Sequence, residues 1–197
     1  MIDIIKEAIS FEKCVLRDDS SGHDYEHPLR VERIAFHLSE HYECNRLVVR
    51  LAALLHDVDD IKLFPNNTTN ANLLIFFQAN GFDVEEQQKI INIINFLTLD
   101  IKDDSAPIEA KIVQDADNLD ALGAIGIARL FAFGGWKGIV PISCIDKHVA
   151  SSEKHYYERL KKLPLIMNTK EAYEEALKRI QYMDEFMEKL RKEATLS

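Results

Sequence analysis

Apolar residues along this chain recur every three to four positions, segment after segment, and nowhere alternate with period two for long. That pattern predicts helices. Ile4, Ile5, Ala8, Ile9 and Phe11 share a helical stripe over residues 3 to about 17, and Asp18-Asp19-Ser20-Ser21-Gly22 then reads as a loop. Proline is tolerated in a helix's first turn, so Pro28 sets the next start near His27. Val31, Ile34, Ala35, Leu38 and Tyr42 continue that helix, and a further one spans about Asn45 to Asp57. A polar loop from Asp59 to Thr69 leads to a short helix from about Asn70 that stops at Gly81. Asp83 with Glu86 is a capping box, opening a helix to about Leu99, and Asp100 to Ser105 is a charged loop.

Pro107 opens the next helix at an N1-like position, with Ile108, Ile112, Val113, Ala116, Leu119 and Leu122 as its stripe. Gly123 and Gly126 allow a bend or a close approach before a helical stretch that ends at Gly134-Gly135. Trp136 to about Ile145 reads as irregular. Two last helices are expected, about His148 to Leu163 and about Lys170 to Glu193, with Thr169 as the N-cap of the second. The sum is an all-α fold of about eight or nine helices.

One stretch departs from a plain amphipathic pattern. Leu51-Ala52-Ala53-Leu54-Leu55 suits a buried helix, yet it runs directly into His56-Asp57-Val58-Asp59-Asp60. A buried Asp at the end of an apolar helix needs a partner or a cation. His27 lies at a helix start and Asp117 within a later helix, so these three places can meet at one centre. Two His and two Asp make a mixed nitrogen and oxygen set. It is too hard for a thiolate zinc site and too rich in nitrogen for calcium. It suits one divalent ion, Mn, Fe, Co, Ni or Zn, and Mg less naturally. The interval between His56 and Asp117 holds no further histidine, which argues for one metal rather than two.

Composition narrows the field. With 197 residues, 47% of them apolar, the chain is expected to fold as a single domain. A net charge of −9 disfavours coating a nucleic-acid polymer but not binding a small phosphorylated molecule. The widely spaced Cys14, Cys44 and Cys144 contain no CxxC and point to a reduced, cytoplasmic chain. The acidic N-terminus does not resemble a signal peptide, and no apolar run suggests a membrane span. No Walker-type GxxxxGK[ST] element is present, against a kinase or motor ATPase.

Taken singly, the site residues have plain structural explanations. His27 beside Pro28 caps a helix or sits at the surface, and His56 meets the negative end of a helix dipole. Asp115, Asp117 and Asp120 form a charged face. Together they spell a pattern: His27-x-x-Arg30-Val31, then Ala52-Ala53-Leu54-Leu55-His56-Asp57, then Asp115-Ala116-Asp117-Asn118-Leu119. In order, this resembles the H…HD…D signature of the HD superfamily of metal-dependent phosphohydrolases. Gln114 to Arg129 and His155 to Asn168 further resemble that superfamily's bacterial YpgQ-type branch, so the likeness covers most of the chain from about His23.

The resemblance implies a compact all-α domain over residues 1–197, with a core at about 23–135 and C-terminal helices at 148–194 packing on it. It implies His27, His56, Asp57 and Asp117 as the metal ligands, with Asp115 as an acid either behind those ligands or on the substrate side, not a ligand itself. Among the helpers, Asp60 lies three residues after Asp57, on the same face if the helix continues. It is expected to move a proton in catalysis, or else to pair with Lys62. His23, four residues before His27, is a second catalytic candidate. Arg30, Lys62 and Arg129 are candidate phosphate contacts, each with a structural ion pair as the alternative. His37 and His41 are expected on a solvated face. His148 and His155 are pocket-mouth candidates, and Phe131, Phe133 and Trp136 core or pocket wall.

The functional expectation is a phosphohydrolase acting on a nucleotide or similar small phosphate ester by attack of metal-activated water on phosphorus. The branch leans toward nucleoside triphosphates with release of pyrophosphate. No nucleic-acid polymer and no membrane is expected as a partner, and a homodimer is left open. The alternatives are a non-catalytic metal-binding regulatory or sensing module with an HD fold, and a plain helical interaction protein.

Overall fold

The apolar stripes become helices almost everywhere. The structure, a computed structural model, describes residues 3–16, 26–60, 64, 69–99, 101–146 and 149–195. Among these lie α1 (Ile4–Val15), α2 (Glu26–Ser39), α3 (Arg46–Leu55), α4 (Ala71–Asn80), α5 (Val84–Leu97), α6 (Ile108–Asp120), α7 (Gly123–Trp136), α8 (Ser152–Glu158), a 3-10 helix (Leu160–Ile166) and α9 (Lys170–Thr195). The described residues contain no β-strand; an isolated parallel bridge joins Val140 to Ser151. The fold is all-α.

Local chemistry sets several boundaries. The Asn45 side chain accepts a hydrogen bond from the Val48 amide at 3.2 Å and starts α3. Asp83 and Glu86 exchange side-chain and backbone bonds of 2.9 and 3.0 Å, completing the capping box of α5. Gly81 ends α4 with φ at 71°, in the left-handed region open to glycine.

α3 is the central rod. Leu51 to Leu55 and Val49 are all buried, so its last turns are apolar on every side, as a helix enclosed by others must be. α2 and α6 pack along it, and α5 fills the gap between α3 and α6. α1 lies over α3 and α4, while α9 rests on α7, α6 and the 3-10 helix. His27, His56 and Asp117 belong to α2, the end of α3 and α6, so the mutual packing of these three helices brings them together.

The α6–α7 junction turns the chain by 70°. Gly123 makes the turn with φ at 75°, and a Cβ on Gly126 would stand 2.2 Å from the Ala121 carbonyl oxygen. Among the described residues, no single helix is long and apolar enough to cross a membrane.

Two expectations about the late helices need correction. The helix expected from about His148 to Leu163 is instead α8 and the 3-10 helix, broken at Arg159 (φ −122°, ψ −66°). Ser151 sets its start later, its hydroxyl accepting from the Lys154 amide at 3.1 Å. Pro164 lacks an N–H for an α-helical bond and crowds the preceding turn, which favours the tighter winding. Thr169, expected to cap α9, donates its hydroxyl to Asp115 at 2.6 Å instead.

Two of the glycines in α7 give a test. Gly126→Ala forces a methyl into the Ala121 carbonyl and is expected to destabilise the fold by about 1–3 kcal/mol. A Cβ on Gly135 meets nothing within 4 Å, so Gly135→Ala is expected to stabilise it by about 0.5–1 kcal/mol through helix propensity. Thermal unfolding of the two variants checks the opposite signs.

Candidate metal centre

The first turn of α2 carries His27 into the interior, where it is only 1% exposed. Its Nδ1 donates to Asp120 Oδ2 at 2.8 Å, which leaves Nε2 to face the centre. His56, the C-cap of α3, donates from Nδ1 to the Ala53 carbonyl at 2.8 Å, and its Nε2 lies 3.3 Å from His27 Nε2. Asp57 completes the turn, with Oδ1 3.4 Å from His56 Nε2 and Oδ2 3.6 Å from His27 Nε2. Asp117 arrives from α6, its Oδ1 3.3 Å from His27 Nε2 and 3.9 Å from His56 Nε2. His27, His56 and Asp57 form the tightest group; Asp117 joins them through the two imidazoles.

These residues fit a cation. Two donors about 2.1 Å from one ion and at right angles to each other stand about 3 Å apart. The imidazole and carboxylate separations here run from 3.3 to 3.9 Å, so a slight contraction suffices. Asp57 Oδ2 is buried and has no hydrogen-bond partner among the described residues. A buried carboxylate oxygen in that state is costly, and a coordinated cation would satisfy it.

Asp120, which sequence reasoning left within a charged face, organises the donors from behind. It is 2% exposed. Besides His27, it accepts from Arg30 Nε at 2.8 Å, Arg30 Nη2 at 3.1 Å and Arg129 Nη1 at 2.8 Å. Burial pushes its carboxyl up, but the hydrogen bonds from His27 and Arg30 prevail and lower it to about 2. Burial likewise pushes His27 down, while its bonds to Asp117 and Asp120 hold it up to about 9. Asp117 is kept well below the usual carboxylate range, its own burial outweighed by the His27 hydrogen bond and the charges of His56 and Arg129. A spacing signal pointed to Asp120: it follows Asp117 by three on one helix, as Arg30 follows His27 by three on another.

Several expected roles change with this geometry. Arg30 pairs with Asp120, the ion pair given above as the alternative for it, and is not among the residues lining the cavity described below. Arg129 makes the same ion pair yet also lines that cavity. Asp115, expected either behind the ligands or on the substrate side, is fully buried and faces α9. It accepts from the Asn168 amide and Nδ2 at 2.8 and 3.0 Å, and from the Thr169 amide and hydroxyl at 2.7 and 2.6 Å. Burial pushes its carboxyl up, with those four bonds acting the other way. His23, Lys62 and His148 lie outside the described residues.

Three of the donors, His27, Asp57 and Asp117, open onto a cavity of about 390 Å³, a common size for a small-molecule site. Asp60 lines it together with His27, Asp57 and Asp117. So do Asn118, Phe133, His155 and Arg159, the last not singled out by sequence although it follows His155 by four. His37 is exposed and bonded to Glu40 at 3.1 Å, on the solvated face expected for it.

Residues 24–122, which contain His27, His56, Asp57, Asp117 and Asp120, match the HD domain. The chain belongs to the HD domain family. This HD domain is 36% identical over 185 residues to the uncharacterized protein YpgQ of Bacillus subtilis (strain 168), an alignment covering 91% of this chain and 88% of YpgQ. The crystal structure of Bacillus subtilis YpgQ in complex with ADP matches it with a TM-score of 0.78 at 34% identity, over 94% of this chain and 97% of that one. The crystal structure of an HD-superfamily hydrolase from Bacillus thuringiensis matches with a TM-score of 0.77 at 40% identity, over 98% and 97% of the two chains.

Two measurements probe the centre of this HD domain. His27, held up to about 9, is protonated at neutral pH, and a cation must displace that proton from Nε2. Below pH 9 the apparent affinity for Mn²⁺ is therefore expected to rise with pH, approaching about tenfold per unit. Calorimetry in buffers of different ionisation enthalpy should show a proton released on binding. Replacing Asp120 by Ala frees the His27 ring and is expected to weaken Mn²⁺ binding by about 10- to 100-fold, read by the same titration.

Proposed function

We propose that this HD domain is a metal-dependent phosphohydrolase of nucleotides, cleaving nucleoside triphosphates to the monophosphate and pyrophosphate. One observation carries the reading: within a convergent set of two imidazoles and two carboxylates, His27, Asp57 and Asp117 line the same cavity as Asp60, Arg129 and Arg159, with His56 held against them. Metal donors, a proton acceptor and cations are the parts that hydrolysis of a phosphate ester requires. The relative solved with ADP supports a nucleotide as the substrate class.

His27, His56, Asp57 and Asp117 would hold a single divalent ion, and their mixed nitrogen and oxygen character favours Mn, Fe, Co, Ni or Zn over Mg. Such an ion supplies Lewis acidity toward water and a phosphoryl oxygen. The chain's own residues supply the remainder. Asp60 takes a proton from the attacking water as an oxygen–phosphorus bond forms at the α-phosphorus. The bond from that phosphorus to the bridging oxygen of the pyrophosphate group breaks. Arg129, steadied by Asp120, and Arg159 offset the negative charge gathering on the departing group. Leu130, Leu160 and Leu163 restrict water on the apolar side of the cavity. We read the chain as cytoplasmic on the strength of its three free thiols, Cys14, Cys44 and Cys144.

Incubation of the Mn²⁺-loaded protein with nucleoside triphosphates in ¹⁸O-water tests the reaction. Pyrophosphate is the expected co-product, with the label in the nucleoside monophosphate. Asp60→Asn is expected to lower kcat by about 10²- to 10⁴-fold while metal content stays at the wild-type level. No turnover with any divalent ion, despite bound metal, overturns the enzymatic reading in favour of a sensing module. Wild-type turnover in Asp60→Asn removes the proton-transfer role from Asp60.

A further inference from the structure

Beside the donor cavity lies a second one of about 200 Å³. Both are lined by Leu130, Phe133 and His155, so they meet across those three side chains. Alone, the second is smaller than the roughly 300–1,000 Å³ of a whole small-molecule site. Next to the first it is a side compartment. Leu130, Ile139 and Ala150 make part of its wall apolar. Its described lining includes none of His27, His56, Asp57 and Asp117.

Two rings stand at the boundary. The Phe133 and His155 centroids are 6.4 Å apart with their planes inclined by 34°, and Phe133 also packs against Trp136 at 5.9 Å. Burial and the Arg159 charge hold His155 below the usual imidazole range, so at neutral pH it is an uncharged flat ring. Such a pair suits a planar heteroaromatic partner, because every nucleobase has a π-face to stack.

A polar group waits at the same place. Ser152 lines the side compartment and is 2% exposed, and its Oγ is buried without a hydrogen-bond partner among the described residues. That oxygen lies against Gly134, where a Cβ would stand 2.2 Å from it. An unsatisfied buried hydroxyl is unfavourable. A χ1 rotation away from Gly134 offers it to the compartment, where a base edge can satisfy it.

We propose that the side compartment receives the heteroaromatic base of the nucleotide whose phosphates lie in the main cavity, with Phe133 and His155 as its stacking walls and the Ser152 hydroxyl as its edge contact. This rests on the nucleotide reading above. Phosphates and base then occupy separate chambers, and preference for a base-bearing substrate resides in α7 and α8, away from the metal donors.

Calorimetry with ADP and with inorganic pyrophosphate, in the presence of a chelator so that no turnover intervenes, tests it. The wild type is expected to bind ADP at least tenfold more tightly than pyrophosphate. Phe133→Ala removes a stacking wall and is expected to cut that ADP-to-pyrophosphate ratio by about tenfold. Ala150→Phe, at an exposed position on the compartment wall, fills the space and should do the same; it decides the matter if Phe133→Ala fails to fold. Ser152→Ala is expected to lower the ratio by about three- to tenfold. A wild-type ratio in folded Phe133→Ala and in Ala150→Phe overturns the proposal. A wild type that hydrolyses ATP but binds the two probes equally overturns the base compartment alone. A wild type that binds neither probe and hydrolyses no nucleotide overturns it together with the nucleotide reading.

Discussion

A single buried carboxylate, Asp120, constrains the donor end of the molecule. It sits at the end of α6 and gathers an imidazole and a guanidinium from α2 and a second guanidinium from α7. A bare carboxylate at 2% exposure would be strongly disfavoured, and three cationic or polar partners turn that penalty into a clamp. The clamp does two things at once. It fixes which nitrogen of His27 faces the other donors, and it steadies Arg129 at the cavity wall. The donor geometry and the placement of Arg129 at the cavity wall thus share one support, and the bend between α6 and α7 is what lets Arg129 reach it.

Three aspartates on one helix show how far helical geometry reaches. A helix turns about 100° per residue, so Asp115 and Asp117 lie on nearly opposite sides of α6, while Asp117 and Asp120 are about 60° apart. Asp117 and Asp120 accordingly meet at His27, whereas Asp115 turns to α9. That angular relation was present in the residue spacing and would have excluded Asp115 from the cavity. The family resemblance set Asp115 apart from Asp117 but left open which way its carboxylate turns.

The helices were legible because burial imposes a period on the chain, and caps such as Asn45 and the Asp83–Glu86 pair mark their starts. The donor residues were legible because a His-Asp pair ending an apolar helix has few inexpensive explanations. Arg30 and Arg129 were ambiguous for a physical reason: a guanidinium serves a phosphate and a carboxylate equally well, and only the packing of α2 and α7 against α6 chooses. Arg159 and the compartment behind Phe133 were hidden because they depend on how the chain folds back after a long irregular segment. The break at Arg159 also follows from a proline five residues downstream rather than from any polar signal at the break itself.

Asp115 has a consequence beyond its own neighbourhood. Its carboxylate grips the chain at Asn168 and Thr169, where α9 begins, and it stands two residues before Asp117 on the same helix. Detaching the C-terminal helix would leave that carboxylate uncompensated in the interior, so α6 could not keep its place beside α3. An occupant of the centre that favours the native placement of Asp117 therefore also favours the docked C-terminal helix, and by reciprocity docking favours the occupant. The C-terminal helix is thereby tied, through Asp115, to the placement of Asp117 in the donor set.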